Sequence, residues 1–132
     1  MSCLRFALAA ALAAAPFAAG AQAPDWSRAT RVEVTLANFS YSPRRIHLRA
    51  GQPVVLHLVN SASGGHDFTA GAFFSAASIR PQDRGAVNGG RVELRGHQSR
   101  DVALVPRAGT YALKCSHTFH KAFGMTGEIV VD

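Results

Sequence analysis

Downstream of Thr30 the chain alternates apolar and polar residues with a period of two. Val32, Val34 and Leu36 alternate with Glu33 and Thr35, and Ile46 and Leu48 alternate with Arg45, His47 and Arg49. That period predicts strands with one face buried. Ser42-Pro43 and Ala50-Gly51-Gln52-Pro53 are turn signals between such runs. Val54 to Val59 is apolar on nearly both faces, the pattern of a central strand, and Asn60 to Gly65 follows as a Ser/Ala/Gly loop. Strand patterns resume at Val92 and Leu94, at Val102 and Leu104, from Thr110 to Cys115, and from Thr126 to Val131. Between Gly71 and Gly90 the pattern lapses, and Phe73, Phe74, Ala76, Ala77 and Ile79 predict a short helix ended by Pro81. The whole predicts an all-β sandwich of seven to eight strands, with one short helical or irregular insertion.

The segment ahead of Thr30 has a different character. One basic residue, Arg5, precedes an Ala/Leu/Phe run from Phe6 to Ala15, then Pro16 and a series of small residues. This is the layout of a secretory signal. Two cleavage frames fit, Ala19-Gly20-Ala21 and Ala21-Gln22-Ala23; the second leaves Pro24 first in the mature chain, so the cut is expected after Ala21. Residues 1–21 are then the leader and 22–132 the domain. The run is too short and too rich in Ala to span a bilayer, and no later apolar stretch approaches the ~20 residues a span needs. The expectation is a periplasmic protein without a membrane span.

Composition narrows the picture further. At 132 residues, 48% hydrophobic and 17% charged, the chain suits one globular domain. The formal net charge is +6, but the arginines are dispersed and an exported protein rarely meets nucleic acid, so no nucleic-acid partner is expected. Cys3 departs with the leader, which leaves Cys115 as a single thiol that cannot close an intramolecular disulfide.

Candidate chemistry is concentrated near the end of the chain. In Cys115-Ser-His-Thr-Phe-His120-Lys-Ala-Phe-Gly-Met125 a thiol closes one predicted strand, an imidazole follows five residues on, and a thioether five further, just before the last strand. The inward row Tyr111, Leu113, Cys115 places the sulfur at the edge of the core. A loop between two strands brings such donors together, and thiolate, imidazole and thioether form the set that soft copper sites use. His66, opening Asp67-Phe68-Thr69 after the Asn60–Gly65 loop, is placed to supply a second imidazole. Ordinary roles compete for each residue. Cys115 suits an inert buried site, Met125 core filling, and His66 a turn. His117 suits a solvated loop, or would replace His120 in another loop register. His47 is expected to be exposed, His57 to be a hydrogen-bonded core histidine, and His97 a turn residue. A thiol hydrolase would need an orienting partner and an oxyanion site that the pattern does not offer, and structural zinc favours close Cys/His pairs without Met.

With those residues in view, the chain resembles the small cupredoxins, the type 1 blue copper proteins. The resemblance rests on Gly65-His66-Asp67-Phe68 and on Tyr111-x3-Cys115-x4-His120-x4-Met125-x-Gly127, and spans essentially the whole domain. It implies a Greek-key β-sandwich with one mononuclear copper at a loop-rich end. Cys115, His66 and His120 would be equatorial ligands and Met125 the axial one. Asp67 departs from the Asn that commonly follows the first histidine, and Thr118-Phe119 stands where Pro-Gly often precedes the second. The expected function is periplasmic one-electron transfer, without enzymatic activity, by a monomer whose redox partner presents an acidic docking surface. A copper carrier or buffer on the same fold is the alternative, and a metal-free binding module a third.

Overall fold

The computed structural model describes residues 22–117 and 124–132. Among the described residues, ten strands make two five-stranded sheets. They are β1 (Thr30–Ala37), β2 (Ser40–Ser42), β3 (Arg45–Leu48), β4 (Val54–Asn60), β5 (His66–Thr69), β6 (Ser78–Ile79), β7 (Arg91–Leu94), β8 (Ser99–Val105), β9 (Gly109–Lys114) and β10 (Thr126–Val131). One sheet runs β2-β1-β4-β8-β6 and the other β3-β10-β9-β5-β7. The β1/β4 and β10/β3 pairs are parallel and the remaining pairs antiparallel.

The sequence pattern accounts for this layering. Val34, Leu36, Leu56, Leu58, Val102 and Leu104 of the first sheet are fully buried, as are Phe68, Val92, Leu94 and Ile129 of the second. They join one core cluster, and burying each such side chain contributes roughly 1.5–3 kcal/mol. Polar neighbours such as Glu33, Arg91 and Glu93 face outward, as the pleat requires, whereas Asp67, beside Phe68, is buried.

Two short strands exceed the seven to eight expected. Ser40–Ser42 is a three-residue edge paired with the end of β1. Ser78–Ile79 pairs with Val105 and Leu104 and interrupts the region where a helix to Pro81 was expected. The helix α1 covers only Gly71–Ala76, because Ala77 turns extended (ψ 154°). Its apolar residues split between two elements: Phe73 and Phe74 are buried in the core, and Ile79 joins the sheet edge. Pro81 therefore opens a 3-10 turn, Pro81–Ala86, instead of closing the helix.

The site follows from the order β10-β9-β5 in the second sheet. Those adjacent strands carry, or directly flank, Met125, Cys115 and His66. Among the described residues no helix is long and apolar enough to cross a membrane.

Candidate metal centre

The β9/β10 register pairs Leu113 with Gly127. Two residues further, in the same antiparallel sense, Cys115 faces Met125, and the Cys115 amide donates to the Met125 carbonyl at 3.1 Å. Opposed residues share one face of a sheet, so thiol and thioether project together; both residues are fully buried. Gly127 sits where a Cβ would lie 2.6 Å from the Arg44 carbonyl oxygen, so the start of β10 packs closely on the segment before β3.

β5 brings the imidazole of His66, which is also buried. Its Nε2 lies 3.3 Å from Asn38 Oδ1. An amide oxygen only accepts, so Nε2 carries the proton and the ring lone pair sits on Nδ1. The loop ahead of His66 is shaped by Asn60. That buried amide donates to the carbonyls of Gly64 (2.8 Å) and Arg95 (3.0 Å) and accepts from the Ala62 amide at 3.0 Å. Gly96 lets this loop approach, since a Cβ there would stand 2.0 Å from the Ser63 carbonyl oxygen.

Asp67 ties β5 to the segment after Cys115. Its carboxylate accepts from the Ser116 amide (2.9 Å), the Ser116 hydroxyl, and the Thr69 hydroxyl (2.7 Å). The Ser116 hydroxyl in turn accepts from Arg91 at 3.0 Å. The Asp67 carbonyl accepts from the Tyr41 hydroxyl at 2.6 Å, a bond between the two sheets. Burial pushes the Tyr41 phenol up, with the Cys115 and Asp67 charges adding to it, so the hydroxyl stays a donor. Among the described residues no buried side-chain nitrogen or oxygen lacks a hydrogen-bond partner. The buried carboxylate is thus held by neutral donors.

The thiol itself is held up by its surroundings. Burial raises it most. The amides of Asp67 and His117 oppose by hydrogen bonding to sulfur, and the Asp67 and Glu93 charges raise it further. A cation at the sulfur works the other way, because metal ligands bind deprotonated and release their protons.

His117, expected as a solvated loop residue, is brought to the thiol. A ring nitrogen of His117, a carboxylate oxygen of Asp67 and Cys115 Sγ all lie within 4.8 Å of one another. Its Nε2 is 2.8 Å from Glu93 Oε1 and 3.7 Å from Asp67 Oδ2, and its ring centroid is 6.4 Å from that of His66. The side chain is still 34% exposed, so the expectation holds for its outer edge only. The β5/β9 register explains the approach: Thr69 pairs with Lys114, and continuing it sets His66 opposite His117. His120 lies outside the described residues, as do residues 1–21, the expected leader. The other histidines serve elsewhere: His47 is exposed, His57 is half-buried against Asp101 at 2.5 Å, and His97 occupies a turn with φ 59°.

The family model for a cupredoxin-like domain matches residues 6–131. The chain belongs to the cupredoxin-like family. Its sandwich superposes on an auracyanin from Roseiflexus castenholzii with TM-score 0.58, at 17% identity over 79% of this chain and 98% of that one. Auracyanin A from Chloroflexus aurantiacus, described as a "blue" copper protein, gives TM-score 0.53 at 16% identity, over 77% of this chain and 99% of that one. The McoA multicopper oxidase of Aquifex aeolicus gives 0.63 at 13% identity; there 84% of this chain matches 31% of that chain. A comparison with curated protein sequences finds no match. The cupredoxin fold accounts for the Greek-key arrangement, and a thiol, a thioether and imidazoles gathered at one end of it form a donor set that suits copper.

Proposed function

We propose that this cupredoxin is an exported, periplasmic blue copper protein that carries single electrons between redox partners. Its leader is cut after Ala21, and it holds one type 1 copper through His66, Cys115, His120 and Met125. The observation that carries the reading is the opposed Cys115–Met125 pair, buried beside His66 on the neighbouring strand. Copper, when bound, supplies a one-electron couple, and the protein's task is to keep the donors fixed as that couple turns over.

The surrounding residues support that task. The ladder bond from Cys115 to Met125 sets the distance between two donor strands. Asp67 locks Ser116, the residue after the thiol, to β5. Asn38 holds the His66 ring in one tautomer. Fixed donors limit rearrangement between oxidation states, and burial excludes water from the sulfur. The excess of basic over acidic residues favours a partner with an acidic face, and the chain works as a monomeric carrier without a reaction of its own.

The test is to add Cu(II) to the mature protein. An intense thiolate-to-copper absorption and a reversible one-electron wave are expected. Copper binding without that absorption overturns the electron-carrier reading. A copper carrier is the second reading, favoured by the closeness of Asp67 and His117 to Cys115; it predicts tight Cu(I) binding with weak colour.

A further inference from the structure

Three donors proposed to hold the metal are buried: His66, Cys115 and Met125. A hydrated ion arriving from solvent needs an earlier contact. Among the described residues, Glu93 and His117 offer a cation exposed donor atoms near the thiol. Glu93 projects from β7 with its side chain 51% exposed, and His117 is 34% exposed. They bond to each other at 2.8 Å, and His117 also approaches Asp67 Oδ2 at 3.7 Å. The same imidazole has a nitrogen within 4.8 Å of Cys115 Sγ. One histidine therefore spans the step from an exposed carboxylate to a buried sulfur.

The electrostatics favour the same route. The protein as a whole is basic, yet the charges acting on Cys115 are the carboxylates Asp67 and Glu93. A local negative field on a positive protein draws cations to that place and repels them elsewhere. Oxygen and imidazole donors bind Cu(II) readily, whereas a thiolate with a thioether suits a softer ion, so exposed O/N donors are suited to capture and the buried S donors to retention.

We infer that Glu93 and His117 form a copper-loading station, in which the incoming ion is first held by the Glu93 carboxylate and the His117 imidazole and then passed to Cys115. The inference rests on the proposed copper site but concerns how that site is filled. Glu93 and His117 are transit donors under it, outside the resident set.

Stopped-flow mixing of the mature apo protein with Cu(II) tests this, with wild type, His117→Ala, His117→Asp and Glu93→Gln compared. The thiolate-to-copper absorption reports arrival at Cys115, and native mass spectrometry of quenched samples counts copper bound whatever the colour. Glu93→Gln removes one of the focusing charges and is expected to load about tenfold more slowly, the low end of what focused charge does to encounter rates. His117→Ala removes the relay donor and is expected to load at least as slowly, and all four are expected to reach the same end-point band. His117→Asp restores a cation-attracting donor and recovers part of the rate, which a packing role for the imidazole would not do. Unchanged rates in His117→Ala overturn the inference, as does a His117→Ala protein that binds copper without the wild-type band, since His117 would then be a resident ligand. If wild type takes up copper with no band, the electron-carrier reading fails and the loading rates by mass still decide this one. If wild type takes up none, both fall.

Discussion

Two histidine–carboxylate pairs with similar local chemistry lie in different parts of this cupredoxin. His57 faces Asp101 at 2.5 Å on the outer face of the first sheet, where the register also sets Glu33 beside His57 and Arg31 reaches Asp101 at 3.4 Å. His117 faces Glu93 at 2.8 Å on the second sheet. The bond alone does not distinguish them. The first pair is surrounded by other surface charges, whose mutual attractions are screened and worth little. The second has a buried thiol and a buried carboxylate within 4.8 Å of its imidazole. What stands behind a surface pair, more than the pair itself, decides whether it has chemistry to serve.

Substitutions at the second sheet are expected to have large effects and those at the first small ones. Cys115→Ser is expected to abolish the thiolate-to-copper absorption, because that band requires a thiolate ligand; visible spectroscopy after Cu(II) addition checks it. Asp67→Ala comes next, since it leaves the Ser116 amide and the Ser116 and Thr69 hydroxyls without their acceptor. A buried donor left without a partner costs about 1–3 kcal/mol; these donors are only part-buried, so a drop in apo melting temperature toward the low end of that cost is expected. Asp67→Asn keeps one carbonyl oxygen and is expected to lose less. It is also expected to raise the reduction potential by removing a negative charge that favours Cu(II), which voltammetry measures.

Met125→Leu keeps volume and apolarity, so its cost to folding is expected to stay below about 1.5 kcal/mol. Its effect is expected in the potential, which rises as a weak donor to Cu(II) is lost. An unchanged potential would make Met125 core filler. The smallest effect belongs to His57→Ala. Burial raises the Asp101 carboxyl, but the His57 hydrogen bond and the charges of Arg31 and His57 outweigh it and hold it below its ordinary value. A depressed carboxyl stabilises the fold above its unfolded value, and that contribution is lost as pH falls through the folded one. Removing His57 is therefore expected to reduce the acid-side loss of stability. The side chain of Asp101 is 44% exposed, so the change at neutral pH is expected to stay below about 1 kcal/mol. Copper loading is expected to be untouched, and a slowed His57→Ala would break the contrast between the two pairs.

Much of the fold was legible because its signals are local. The alternation around Val34 and Leu36, Ile46 and Leu48, and Ile129 and Val131 reflects which face each side chain takes, and that follows from strand geometry alone. The helix was overextended for a related reason. Ala77 to Ile79 suit a strand as well as a helix, and pairing with Leu104 and Val105 settled it, which no local signal announces. In the candidate site, Cys115 and Met125 were legible from spacing, because they flank two consecutive strands.

The surrounding residues were not legible. Asn38, Tyr41, Asn60, Arg91, Glu93 and Ser116 have no motif of their own, and each matters through a partner distant in sequence. Asp67 stands out in the sequence as a departure, yet its two acceptances from Ser116 depend on β5 lying beside β9. His117 gave the clearest divergence, since spacing placed it in a solvated loop while the β5/β9 register set it opposite His66 and within reach of sulfur. Strand class, inward faces and the kinds of donor atom present follow from side-chain chemistry and a two-residue period, and so are carried by the residues alone. Which donors meet is fixed by register and strand order across two sheets, and neither is written in the residues of one strand.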